Sequence, residues 1–173
     1  MLPKKKLLDL AAKAACKAAI AVQKNEIKGD LLKKYRRYNK KAYWRLRNKK
    51  IPSFEKTQVD MLMILAESSP EEHTINYIIA YLCRQIARGY IDPHAARDIV
   101  EGLKILEKQE DIKRKVKEFI GLFRWLYEAA KETLDLVSFD ENSFEFIKKV
   151  NCDEINFMKL TELCLKESCR KQD

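Results

Sequence analysis

Glycine and proline are scarce in this chain, and their scarcity limits the folds open to it. The 173 residues include four glycines and four prolines. Tight β-hairpins, and sandwiches built from them, need turn residues about every 8 to 12 positions. The chain is instead rich in alanine, leucine, isoleucine, lysine and glutamate, which favours helices. We therefore predict an all-α fold, a multi-helix bundle that contains a helical hairpin and carries a basic N-terminal helical arm.

The charge is distributed unevenly along the chain. Residues 1–50 carry 17 lysines and arginines against three acidic residues, whereas residues 51–173 carry 18 against 23. The 46% of apolar residues is enough for a real core. We interpret residues 1–50 as the basic arm and residues 51–173 as the helical bundle.

The arm is predicted to form two helices. An alanine-rich helix covers residues 7–27, where small side chains allow close approach by a neighbouring helix. Gly29 is expected to end it, and Asp30 to cap a second, basic helix that runs to about residue 50. The apolar stripe of this second helix consists of Leu31, Tyr35, Tyr38, Ala42 and Leu46.

Capping residues predict where the later helices begin. Ser53 is expected to cap a buried helix, and Ser69, which a proline follows, to cap the next one. That helix should end at Gly89, and Asp92, again followed by proline, should start another. The two helices together predict a hairpin over residues 71–108.

A long helix and two short ones are predicted after the hairpin. A polar run at 107–111 should interrupt the helical structure. After it, apolar residues recur at alternating spacings of four and three positions and form a seam along one helix. Asp140 and Asp153 are the expected caps of the two short helices. The seam consists of Ile112, Val116, Phe119, Phe123, Leu126 and Ala130.

The strongest functional signal is the segment 28–50, in which eleven lysines and arginines face Asp30 alone. Cations that meet phosphates release condensed counterions, and aromatic rings stack on unpaired bases. We therefore predict DNA or RNA as the partner, in preference to an acidic protein surface or a merely solvated face. The predicted binding residues are Lys33, Lys34, Arg36, Arg37, Lys40, Lys41, Tyr43, Trp44, Arg45, Arg47, Lys49 and Lys50.

The sequence allows two other binding hypotheses. An assembly factor would dock its basic arm on an acidic protein and pair its seam, residues 112–134, with a second copy. A helix-turn-helix over residues 82–100 would read DNA, but its second helix carries too many acids, so we expect scaffold packing there. The leading hypothesis is an accessory subunit of a nucleoprotein complex, which also implies other protein subunits.

Catalysis is not predicted, because the chain has no glycine-rich phosphate loop, serine elbow or paired cysteine and histidine. We expect no cofactor and no metal, since the five cysteines lack CxxC spacing. Cys16, Cys83 and Cys164 are expected to be buried thiols. Irregular cysteines favour a reducing cytosol, and charged residues interrupt every apolar run that could form a membrane span.

Overall fold

The computed structural model describes residues 4–135 and 151–170 of the chain. Within these ranges it has seven α-helices and no strand, which confirms the predicted all-α bundle. The helices are α1 (Lys4–Tyr38), α2 (Lys40–Arg47), α3 (Lys56–Ser68), α4 (Thr74–Ala87), α5 (Pro93–Leu106), α6 (Ile112–Asp135) and α7 (Phe157–Arg170), with a 3₁₀ turn at Glu71–His73 before α4.

Helix α1 lies at the centre of the molecule. It packs mainly against α6 and α5, and its buried face runs from Leu10 to Gln23. Six of the seven alanines of this face are fully buried, and their small side chains let neighbouring helices approach closely. This first part of α1 belongs to the same core cluster as residues of every later helix except α2.

The predicted break at Gly29 is wrong, because α1 continues through Gly29 and Asp30 to Tyr38. A glycine inside a helix costs only about 1 kcal/mol relative to alanine, which does not force a break. The break falls at Asn39, whose side-chain oxygen accepts a hydrogen bond from the backbone N–H of Ala42 at 3.0 Å. The predicted apolar stripe is therefore divided between two helices, and Tyr38 is 82% exposed.

The start of α5 follows the prediction. The Asp92 carboxylate accepts hydrogen bonds from the backbone N–H groups of His94 and Ala95, at 2.9 and 3.0 Å. Gly89 adopts a positive φ of 72° at the end of α4, as a C-terminal glycine should.

Both predicted serine caps are wrong. Ser53 lies two residues before the actual cap, Glu55, and forms an isolated β-bridge with Ile91, a contact that the local sequence does not encode. Ser69 ends α3, and α4 begins only at Thr74, after the 3₁₀ turn. Ser53 is held by its bridge to Ile91, and the Ser69 backbone N–H still donates to the Leu65 carbonyl of α3, so neither serine lies at the start of a helix.

Helix α6 buries the predicted seam. Val116, Phe119, Phe123, Leu126 and Ala130 are all buried, and α1 of the same chain is the main partner of α6. The predicted interruption is confirmed, since α5 ends at 106 and α6 begins at 112. Because α1 covers most of this seam within the chain, little of it is left to face a second copy. Pairing with a second copy stays a prediction.

Helix α7 is fixed to α1 at its first residue. The Asp9 carboxylate accepts a hydrogen bond from the backbone N–H of Phe157 at 3.1 Å. The predicted cap Asp153 is replaced by Asn156, whose side chain accepts from the Lys159 N–H at 2.9 Å. The helix predicted after Asp140 lies outside the described residues.

Candidate nucleic-acid interface

The basic segment folds into a helical hairpin outside the core. We call residues 24–50 the basic hairpin: they comprise α1 beyond its last buried residue, Gln23, then α2 and the three residues after it. The chain returns alongside α1, because the Asn25 side-chain amide donates to the Ile51 carbonyl at 3.0 Å. The Lys28 ammonium likewise donates to the Lys49 carbonyl. These two hydrogen bonds fix the return segment to α1.

The hairpin has an apolar inner face. Helices α1 and α2 contact each other, and the residues on their facing sides are half-buried. Burying this modest area holds the two helices together while their charged sides remain in water. The half-buried residues are Leu31, Leu32, Tyr35, Ala42, Tyr43 and Leu46.

The structure places the predicted binding residues together on the outside of this hairpin. Eleven of the twelve are exposed, and Tyr43 is half-buried. Within the described residues, the only ion pair that this segment makes joins Lys33 to Asp30 at 2.9 Å. The other cations have no acidic partner there, so they carry a dense, uncompensated positive charge.

An aromatic and cationic cluster lies on α2. The rings of Tyr43 and Trp44 meet edge to face, with their centroids 5.6 Å apart. The Arg47 guanidinium lies 5.0 Å from the Trp44 ring centroid and 6.0 Å from that of Tyr43. Trp44 remains 54% exposed. Its ring can accept a further flat partner, since aromatic and guanidinium planes both stack on bases.

The predicted binding residues omit two cations of α1, Lys24 and Lys28. They lie about two and a half turns and one and a half turns before Lys33, closer to the core. Lys28 belongs to the basic segment 28–50, whereas the predicted break at Gly29 assigned Lys24 to the alanine-rich helix. A continuous α1 extends the cationic surface back to residue 24.

The alternative DNA reader, α5, is held in the core. Seven of its residues are buried, and it packs against α1 and α6. The Asp98 carboxylate, which is buried, pairs with the Lys17 ammonium at 2.6 Å. This packing agrees with the expected scaffold role for the segment 82–100.

Lys17 also pairs with Asp153 at 2.7 Å. Burial by itself would lower the pKa of Lys17, but its hydrogen bonds to Asp153 and Asp98 outweigh burial and raise that pKa. The same ammonium holds the pKa of Asp153 below its ordinary value. Lys17 and Asp153 therefore stay charged near neutral pH, and their pair fixes the loop before α7 to α1.

Four cysteines in the described part of the chain, Cys16, Cys83, Cys152 and Cys164, are thiols. Cys16 is buried as predicted and Cys164 is half-buried, but Cys83 is exposed, so that prediction is wrong. A hydrogen bond with Cys152, together with burial, raises the pKa of Cys16, which makes this thiol unreactive. No group of three potential metal ligands occurs among the residues that the structure describes.

The chain matches no known family model, and neither a curated protein nor a solved structure shows significant similarity to it. Among the described helices, none combines the length and the apolar character that a membrane crossing needs.

Proposed function

We propose that this protein is a non-catalytic nucleic-acid-binding subunit of a nucleoprotein complex and that its basic hairpin contacts phosphates. The observation that carries the proposal is the cluster of exposed, unpaired cations beside the edge-to-face pair of Tyr43 and Trp44. Ten of the eleven cations of residues 28–50 have no acidic partner among the described residues. Such a surface repels itself until a polyanion covers it.

The rest of the chain, residues 51–173, is suited to binding other proteins. Residues 51–173 carry an excess of acidic residues, which would repel nucleic acid and suit basic or neutral protein neighbours. We therefore infer that the hairpin faces the nucleic acid while the acidic bundle faces other subunits. We place the protein in the cytoplasm, as the irregular cysteines suggest.

Fluorescence anisotropy with labelled DNA and RNA over a salt series tests this proposal. The first variant replaces Lys34, Arg37 and Lys41 by glutamine, three exposed cations of the hairpin. The matched control replaces Lys5, Lys104 and Lys108 by glutamine, exposed cations elsewhere that change the net charge equally. The slope of log K against log salt is negative, and each lost phosphate contact should reduce its magnitude by about 0.7 to 0.9.

The expected result is salt-sensitive binding by the natural chain and the control, and a slope smaller by about 2 to 3 in the hairpin variant. Equal losses in both variants would mean that net charge, and not the hairpin, determines binding. An absence of binding to any nucleic acid at low salt would overturn the proposal and favour an acidic protein as the partner of the hairpin.

A further inference from the structure

An open cleft lies between the basic hairpin and the bundle. It has a volume of about 850 Å³ and is bounded by α1, the end of α2 and the loop before α7. This volume is within the range of small-ligand sites. The hydrogen bonds from Asn25 and Lys28 to the return segment fix its two walls relative to each other.

The floor of the cleft is apolar. This floor is the buried and half-buried aliphatic part of the cleft lining, which consists of Ile20, Ile27, Leu31, Leu46 and Ile51. Aliphatic side chains of this kind hold a flat, weakly polar ring well, as enzymes that extrude a base from the stack demonstrate.

The rim of the cleft is cationic. Lys24, Lys49 and Lys50 line it, and none of them makes an ion pair within the described residues. Two acids also line it, but both are already engaged. Asp92 accepts from the first amides of α5, and Asp153 pairs with Lys17. The net field of the cleft therefore favours an anion.

An apolar floor with a cationic rim is complementary to a nucleotide whose base is unpaired, since the base is apolar on its faces and the phosphate is an anion. In a duplex the bases are paired and stacked, so a duplex presents only phosphates and groove edges to such a cleft. We propose that the cleft takes an unpaired nucleotide, with its base on the aliphatic floor and its phosphate at Lys24, Lys49 and Lys50. The inference rests on the proposed function and specifies its ligand as single-stranded nucleic acid.

The test compares oligo(dT) and oligo(U) with DNA and RNA duplexes of equal length, by anisotropy at one salt concentration. The first variant, Ile27→Trp, fills the cleft from a half-buried position. The natural chain should bind the single strands about tenfold more tightly than the duplexes, an effect of the size that one held base provides. Ile27→Trp should reduce this preference several-fold and leave duplex affinity unchanged; the part of the preference that base stacking on Trp44 provides should remain. The hairpin variant at Lys34, Arg37 and Lys41 should weaken both ligands.

If circular dichroism shows that Ile27→Trp does not fold, a second variant still tests the inference. Lys24→Gln with Lys50→Gln changes two exposed rim residues and should weaken single strands more than duplexes. Equal affinity of the natural chain for both ligands, or equal losses in the rim variant, would overturn the cleft inference while nucleic-acid binding stands. If nothing but an acidic polypeptide such as poly-glutamate binds, both the proposed function and the cleft inference fail.

Discussion

At the scale of single residues, the most sensitive position is Lys17, whose ammonium lies between the carboxylates of Asp98 and Asp153. Its side chain and that of Asp98 are only 10% and 6% exposed. Lys17→Met would leave Asp98 buried with Arg97 as a distant partner, 3.9 Å away. We expect this variant to lower the free energy of unfolding by about 3 kcal/mol in a urea titration.

Two controls separate the buried pair from its exposed neighbour. Asp153→Asn should have a much smaller effect, because the Asp153 side chain is 70% exposed and solvent screens its contact. The double variant Lys17→Met with Asp98→Leu should recover most of the loss, since it leaves no unpaired charge. A loss from Asp153→Asn as large as that from Lys17→Met would contradict this account.

Two helical glycines should respond to alanine in opposite directions. A Cβ at Gly102 would lie 2.3 Å from the Phe119 ring, which is buried, whereas a Cβ at Gly121 would meet nothing within 4 Å. Gly102→Ala should therefore destabilise the fold by about 1 to 3 kcal/mol through overpacking. Gly121→Ala should stabilise it by up to about 1 kcal/mol.

Thermal and urea unfolding of both glycine variants provides the comparison. Adding Phe119→Leu to Gly102→Ala should relieve part of the clash, although it also loses some apolar contact. Equal tolerance of alanine at both glycines would contradict a close approach of α5 to α6 at Gly102.

At the scale of elements, the continuity of α1 is the feature that most changes the interpretation. No atom lies within 4 Å of a Cβ built on Gly29, and its φ is not positive. Gly29→Ala should therefore stabilise the hairpin by about 0.5 to 1 kcal/mol. Asn39→Ala should destabilise it by about 1 kcal/mol, because α2 loses its cap.

Hydrogen exchange of the amides in residues 24–47 reports both effects. Protection should rise in Gly29→Ala and fall in Asn39→Ala, while the core amides of α6 change little. Lower protection in Gly29→Ala would instead indicate that a helix ends at Gly29, as the sequence first suggested.

The sequence predicts those elements whose boundaries are set by local chemistry. Asp92 caps α5 because its carboxylate reaches amides two and three residues away, and Gly89 ends α4 through its own φ. The prediction that Ser53 caps a helix is wrong because Ser53 pairs with Ile91, 38 positions away in the chain. No local sequence pattern records that contact. Asn39 was overlooked because the apolar stripe around it is compatible with one straight helix as well as with a hairpin.

The candidate site was predictable in composition but not in shape. The charge distribution along the sequence was enough to predict exposed cations, because lysine and arginine side chains stay solvated in almost any fold. The cleft required knowledge that residues 49–51 return to α1 at residues 25–28, a contact made by backbone carbonyls, which every residue type carries.

At the scale of the whole molecule, the central position of α1 has a direct consequence for truncation. A chain beginning at Ile51 would lose the helix against which both α5 and α6 pack. We expect such a chain to show helical circular dichroism without a cooperative thermal transition, as in a molten globule. Cooperative unfolding of residues 51–173 alone would instead support the domain boundary that the charge distribution predicts.

Tests of the hairpin must therefore use substitutions in the full chain. The two tryptophans make this possible, because Trp44 lies on the hairpin and Trp125 lies on the outer face of α6, 72% exposed. Each can be made the sole tryptophan by replacing the other with phenylalanine. The two variants are then matched reporters on one fold.

The most direct test of nucleic-acid binding by the basic hairpin is tryptophan fluorescence during titration with oligo(dT) and oligo(U), followed by addition of salt. Base stacking on Trp44 predicts quenching in Trp125→Phe that added salt reverses, and no quenching in Trp44→Phe. Quenching confined to Trp125, or an unchanged Trp44 signal while anisotropy reports binding, would contradict the account.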